Sequence, residues 1–492
     1  MTHAVQAISR PVRISARAAL IVSVYVAAFF GALPTLLWAL GRRLDLLLAL
    51  PPVGGVVVHG SGMATAALGV ACMGWAMWLL WRRGGGLPIS HLPPARLTML
   101  GPYAVTRHPI YAGYCATFAG AGLMTGSLGR GVIAAALLAW GSAIYALAFE
   151  EPRLERRFGA AYLAYRETTP AFALPGGAWL RARTVGLWQS CRVAAERVAN
   201  HVVLVRVGPT TWVTCGVFAA AAAAIIGAVM VAALTGSGLS RSLTGWCLVS
   251  LAVAIPLGSR AMWLAYRVDQ LLADPWNTLR QVGFVSWGGI LGLFGFSAGF
   301  ALAAHLDVWG LLDAAAVAGL AGQAVARLGC FTYGCCYGRP SALGVCWTEP
   351  ESKPVREHGA AGAVPRVPTQ LLSSVGAAAL CALLVVVLRR GVPSGTVTGL
   401  ALLGYGAVRF GIECLRADPR HGAWGVTRGQ VGCLGVVALG LLVLFALSAT
   451  SAPRGGIALD LGGVLDLAPV LAGCVALALG VYGFHWRRVG RW

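Results

Sequence analysis

The sequence is poor in charge. Only 11% of its 492 residues are Asp, Glu, Lys or Arg, the acidic residues number 17, and lysine occurs once, at Lys353. So little charge, beside 58% apolar residues and a mean hydropathy of +0.74, excludes a soluble globular domain. Also lacking are Cys-x-x-Cys knuckles, a clear small-residue cleavage site after the first apolar run, and any evident inverted repeat or pair of broken spans. These absences argue against a zinc knuckle, a removed leader and a secondary transporter, and the first apolar run is expected to be a retained span.

What is present is apolar length. About 20 mostly apolar residues cross a bilayer, and such runs recur near 18–40, 59–81, 112–128, 131–149, 212–235, 243–265, 281–304, 308–328, 369–388, 395–415, 429–448 and 464–485. The expectation is an all-α polytopic membrane protein with about twelve transmembrane helices in two modules. The formal charge of +21 sits at span ends and in loops, so it sets topology and meets anionic lipid headgroups, with no nucleic-acid partner. The arginine bias suits bidentate phosphate or carboxylate contacts, and a GC-rich genome produces the same bias.

The apolar pattern breaks at length once, between about 150 and 210. Leu154, Phe158, Ala161, Tyr162 and Tyr165 recur at helical steps there, predicting an amphipathic surface helix. The arginines of this segment place it on the cytoplasmic side, in agreement with a basic amino terminus carrying Arg10, Arg13 and Arg17. The resulting division is a membrane module over 1–175, a basic linker over 176–208, a second membrane module over 209–450 and an extra carboxy-terminal span within 451–492.

Two ordered motif sets carry chemistry. In the first module, "GPYAVTRHPIYAGY" supplies Arg107, His108, Pro109, Tyr111 and Gly113, and about thirty-five residues later "FEEPRLERRF" supplies Glu150, Glu151 and Leu154. Charged and imidazole groups at a span end are costly near hydrocarbon unless they bind something, and a carboxylate pair beside His108 and Arg107 can hold a zwitterion. The alternative is that Arg107 and His108 only anchor a helix end at the headgroups. The set resembles the isoprenylcysteine carboxyl methyltransferase and phospholipid methyltransferase family. That resemblance implies S-adenosylmethionine bound by Arg107, His108, Tyr111, Gly113, Glu150 and Glu151, with an apolar acceptor entering from the bilayer. Sterol reductases that use NADPH share the fold and remain open.

In the second module, Gly258 and Arg260, then Gly288 and Gly289, precede the run "GQAVARLGCFTYGCCYGRP" with Gln323, Arg327 and Cys330. "RVPTQLL" follows with Arg366 and Gln370, and "RFGIECLRADP" with Arg409 and Glu413. About 180 residues here resemble the prolipoprotein diacylglyceryl transferase family. The resemblance implies transfer of a diacylglyceryl group from phosphatidylglycerol to a cysteine thiol, catalysed by Arg327, Arg409 and Glu413, with Arg260, Gly288, Gly289, Gln323, Arg366 and Gln370 binding lipid. On physical grounds, an unpaired guanidinium at the end of an apolar run costs ~2.5 kcal/mol or more, which a phosphate headgroup offsets. Glu413 lies one turn after Arg409, so holding the arginine in place is the competing role.

The departures are specific. Trp287 stands where the family has a His, Cys330 where it has an Asn, and Cys335 at an acidic position. A His is the natural base for making a thiolate, and His305, His358 and His421 are the alternative sources. Cys330, Cys335, Cys336 and Cys346 leave packing, disulfide and metal readings open, with packing favoured and no metal expected. Charge counting puts the 329–368 and 416–428 loops on the cytoplasmic side, whereas the resemblance implies the opposite face; a fifth early span over 44–58 would reconcile them. The combined expectation is a bacterial inner-membrane transferase acting on phosphatidylglycerol-type lipid and a lipid-modified or cysteine-bearing acceptor. The alternative is a methyltransferase with a catalytically degenerate lipid-binding module.

Overall fold

The computed structural model describes residue 20 and residues 23–85, 94–172, 191–281, 283–417, 422–423, 426–447 and 460–486. Arg10, Arg13, Arg17, His421, Arg420 and the linker residues 176–190 lie outside the described residues. The chain divides into two compact units, Met1–Gly177 and Ala178–Trp492. It is an all-α polytopic membrane protein: among the described residues, ten helices have the length and apolarity to cross a bilayer. The other two expected runs are helical but only 16 residues long.

The first unit contains α1 (Ser23–Leu47), α2 (Val56–Gly84), α3 (Pro109–Met124), α4 (Gly129–Phe158) and α5 (Ala160–Thr168). Here the structure corrects the suggested extra span over 44–58. The first helix ends at Leu47, Ala49 takes a left-handed backbone at φ 45°, and α2 opens only at Val56. Adjacent Pro51 and Pro52 remove two consecutive backbone donors and disfavour a helix through this stretch, so apolar composition alone does not make it a span. The α1 carboxylate Asp45 accepts from the Gly129 amide at 2.8 Å and from the Ser127 hydroxyl, tying α1 to the start of α4. The last turns of α4 are the charged stretch itself, and Gly159, at φ 52°, separates it from α5. Tyr162 and Tyr165 on α5 are buried, and the Tyr165 hydroxyl donates to the Tyr103 carbonyl at 2.6 Å.

The second unit contains α6 (Thr214–Gly236), α7 (Arg241–Ala265), α8 (Ser286–Ala303), α9 (Val308–Tyr333), α10 (Thr369–Arg389), α11 (Thr396–Leu415), α12 (Arg428–Ala446) and α13 (Ala468–Gly483). Half of the apolar stretch of α9 and of α11 is buried, a larger share than in any other span, so these two form the centre. Around them Leu291, Val375, Leu383 and Leu442 remain exposed, as hydrocarbon-facing side chains should be. The α9 carboxylate Asp313 accepts from the Gly395 and Thr398 amides at 2.8 and 2.7 Å and from the Thr398 hydroxyl at 2.6 Å. It therefore caps α11, and the two helices run in the same direction from a shared anchor.

Both flanks of the membrane core are built into this unit. Asn200 accepts from the Thr348 and Glu349 amides at 2.6 and 3.0 Å, and Glu196 accepts from the Cys346 amide at 3.2 Å. The linker sequence from Cys191 onward thus clasps the loop after α9. At the other terminus α13 packs on α6, and Phe484–Trp486 pairs antiparallel with Thr210–Val213, which pairs with Val203–Val207.

Candidate functional site

In the second unit the site lies where α9 and α11 end. Gly334, at φ 70°, stops α9 in the left-handed conformation that glycine tolerates. Two turns earlier Arg327 is only 5% exposed. With the Gln323 amide turned so that its oxygen faces the guanidinium, Arg327 donates to it from Nε at 2.6 Å and Nη2 at 2.8 Å. Its Nη1 lies 3.9 Å from Cys336 Sγ. Among the described residues no carboxylate forms an ion pair with Arg327.

On α11, Arg409 Nη2 lies 3.1 Å from Glu413 Oε2, and Arg416 Nη1 lies 3.6 Å from the same oxygen. All three side chains are buried. Arg416, the extended residue that follows α11, is a site residue that sequence reasoning missed; its signal was a third arginine three residues after Glu413. The guanidiniums converge on the turn after α9. The Cys336 thiol is pulled well below its ordinary range by a hydrogen bond from Cys335, with Arg416, Arg327 and Arg409 adding to it against burial. Cys335 is pushed up, chiefly by its hydrogen bonds with Cys330 and Cys336.

A shallow groove beside Arg409, too narrow to enclose a water molecule, is walled by Ser373, Gly376, Ala377, Leu380, Tyr405 and Val408. From α10, Gln370 Nε2 donates to the Cys335 carbonyl and Thr369 Oγ1 to the Cys336 carbonyl, each at 2.5 Å. Arg366 lies over the Tyr337 ring at 4.8 Å, and the Tyr337 hydroxyl donates to Glu357 Oε2 and meets His358 Nε2, both at 2.8 Å.

Gln323, Arg366 and Gln370 thus gather around Arg327 and the following turn, and the other expected lipid contacts do not. Arg260 donates to the Gly283 and Leu279 carbonyls at 3.1 and 2.9 Å and stacks on Trp263, which pins the segment before α8. Gly288 and Gly289 make the α7–α8 crossing: a Cβ on Gly288 would lie 2.2 Å from the Gly258 carbonyl oxygen. Trp287 meets Tyr405 edge to face at 6.3 Å. His305 is exposed at the opposite end of α8, and His358 is exposed on the loop. Cys330, Cys335, Cys336 and Cys346 are free thiols.

In the first unit Arg107 and His108 immediately precede α3 and meet α4. Arg107 donates to Glu151 Oε1 from Nε at 3.0 Å and Nη2 at 2.6 Å, and His108 Nε2 lies 3.1 Å from the same oxygen. Arg107 Nη1 adds bonds to the Thr169 and Arg166 carbonyls at 2.5 and 3.2 Å. Glu151 is therefore consumed inside the protein. Glu150 differs: its Oε2 is buried without a hydrogen-bond partner, 3.9 Å from His108 Nδ1. Tyr111, Tyr145, Phe149 and Phe172 form linked ring contacts with His108 and one another at 5.6 to 6.2 Å. Gly113 faces elsewhere, against the Gly69 carbonyl of α2, and serves helix packing.

The sequence model described as prolipoprotein diacylglyceryl transferase matches residues 202–446. Among similar proteins, the phosphatidylglycerol–prolipoprotein diacylglyceryl transferase of Solidesulfovibrio magneticus is 30% identical over 222 residues, 42% of this chain and 80% of that protein. The chain belongs to the prolipoprotein diacylglyceryl transferase family. The like-named proteins of Methylococcus capsulatus and Clostridium tetani are 31% and 29% identical over 203 and 191 residues, 40% and 38% of this chain and 74% of each. The prolipoprotein diacylglyceryl transferase match runs from the strands before α6 through α12 and includes the whole arginine cluster. A second model, described as phospholipid methyltransferase, matches residues 57–161, from α2 to the start of α5, and includes the Arg107–Glu151 cluster.

Proposed function

We propose that the second unit moves a diacylglyceryl group from a phosphatidylglycerol-type donor to a thiol-bearing acceptor in a bacterial inner membrane. The observation that carries this reading is Arg327, a buried guanidinium held by a neutral amide and a thiol, with the buried Arg409 guanidinium converging on the same turn. A phosphodiester would take bidentate contacts from Arg327 and Arg409. As the glyceryl C–O bond breaks, charge grows on the departing glycerol phosphate, and the same guanidiniums stabilise it. Glu413 orients Arg409 and Arg416 from a single oxygen. Release of glycerol phosphate from phosphatidylglycerol vesicles tests the reading, with Arg327→Ala and Arg409→Ala expected to abolish it.

For the first unit the reading is methylation of a lipid-like or thiol product. S-adenosylmethionine supplies an electrophilic methyl group on a sulfonium centre. The unpartnered Glu150 oxygen and the rings of Tyr111, Tyr145 and Phe172 suit such a cation. His108 and the Arg107–Glu151 pair hold the span ends around it. Incubation with labelled S-adenosylmethionine should place label in an apolar product, and Glu150→Gln should remove it.

The packing of Trp287 on Tyr405 favours a second reading, in which the family unit only binds lipid and presents it to the methyltransferase. Rescue of a strain depleted of its own diacylglyceryl transferase, lost with Arg327→Ala, would exclude that passive role.

A further inference from the structure

The proposed transfer needs an acceptor thiol to lose its proton, and Trp287 cannot take it. Of the alternatives, His305 is exposed at the opposite end of α8, His358 is engaged by the Tyr337 hydroxyl at 2.8 Å, and His421 lies outside the described residues; a further histidine, His485, is buried in the strand that pairs with Thr211. Cys336, by contrast, lies in contact with the lipid-binding arginine. Its backbone is left-handed, φ 58°, which a non-glycine residue adopts at a cost and which clusters at functional sites. Thr369 and Gln370 hold that conformation through the carbonyls of Cys336 and Cys335. The result is Sγ 3.9 Å from Arg327 Nη1. Two flanking groups are buried without partners, Gln370 Oε1 and Arg366 Nε, as expected where a polar ligand completes the site.

The titratable and charged groups facing the thiol are Cys330, Cys335, Arg327, Arg409 and Arg416. The three guanidiniums favour its anionic form, as does the Cys335 hydrogen bond.

We propose that Cys336 is the general base of the transfer, taking the proton of the acceptor thiol while Arg327 and Arg409 hold the phosphodiester. This rests on the glyceryl-transfer reading above. The acceptor S–H bond breaks and its proton passes to the Cys336 thiolate. The acceptor sulfur then forms a C–S bond to the glyceryl carbon while the C–O bond breaks, its electron pair leaving on the glycerol phosphate. Cys336 gives its proton to that departing phosphate monoester, whose second ionisation lies near 6, and the thiolate is restored.

The test uses the full chain in phosphatidylglycerol vesicles with an acylated cysteine peptide as thiol acceptor, following thioether product and glycerol phosphate against pH. Cys336→Ala and Cys336→Ser should lower the rate about a hundredfold to ten-thousandfold. Both should keep the rise in melting temperature that phosphatidylglycerol confers. Cys336→His should recover transfer, with an acid limb near the ordinary imidazole value of about 6.5. His358→Gln should leave the wild-type rate in place, and added to Cys336→His it should leave the limb in place. Wild-type turnover by Cys336→Ala would overturn the assignment. So would a Cys336→His protein that melts normally without the imidazole limb, loss of that limb or of the wild-type rate on His358→Gln, or a glyceryl lipid found attached to Cys336. If Arg327→Ala also turned over normally, the transfer reading itself would fail; a dead Arg327→Ala beside a fully active Cys336→Ala defeats the base alone.

Discussion

Replacing Arg327 by Met separates a structural arginine from one built to bind an anion. In the lipid-free protein, Arg327 has no carboxylate partner among the described residues; the anion it faces is the Cys336 thiolate, which keeps Arg409 and Arg416 and can take up a proton when Arg327 is removed. Relieving the desolvation of a buried charge whose neighbour can neutralise by taking a proton should stabilise by about the 1–4 kcal/mol found when buried ion pairs give way to apolar residues. Against this, the Gln323 oxygen loses its two donors, which costs about 1–3 kcal/mol. The two terms nearly cancel, and lipid-free stability should move by no more than about 2 kcal/mol in either direction. Lipid binding should behave differently. Two charge-assisted bonds to phosphate contribute about 1.5–3 kcal/mol each, so their loss weakens phosphatidylglycerol about 10²–10⁴-fold. The assay is thermal unfolding in detergent across a phosphatidylglycerol titration, where the stabilisation conferred by lipid should collapse in the variant. A variant that loses more than about 4 kcal/mol without lipid, yet still gains the wild-type stabilisation from it, would refute the reasoning.

Three further outcomes follow from the same geometry. Glu151→Gln strands the buried Arg107 guanidinium and should cost about 3–5 kcal/mol, read as a lower melting temperature, whereas Glu150→Gln should melt normally and bind S-adenosylmethionine more weakly in calorimetry. Asp313→Ala removes the cap of α11, which should cost about 1–2 kcal/mol and lower glycerol phosphate release, because the same helix carries Arg409. Gly113→Val places a Cβ within 2.7 Å of the Gly69 carbonyl oxygen; overpacking of about 1–3 kcal/mol should appear in thermal unfolding, with S-adenosylmethionine affinity preserved in the folded fraction.

The helices were legible because apolar length is a local property. Each of the twelve expected runs is helical over most of its described residues, and the one suggested addition, 44–58, failed because Pro51 and Pro52 outweigh apolar composition. The ordered motifs likewise identified the stretches that carry Arg327, Arg409 and Glu413 before any geometry was known.

By itself, then, the sequence determined a polytopic helical chain with two motif-bearing parts and arginines at the ends of apolar runs. Tertiary structure alone decided which of those residues meet. Arg416 joins Glu413 while Arg260 turns to backbone carbonyls; Gly113, Gly288 and Gly289 lie in helix crossings; Glu151 is spent on Arg107 while Glu150 keeps a free oxygen. The reason is that helix periodicity fixes which residues share a face of one helix. Which faces oppose each other depends on crossings, caps and turns such as Asp313 and Cys336, whose partners lie far away along the chain.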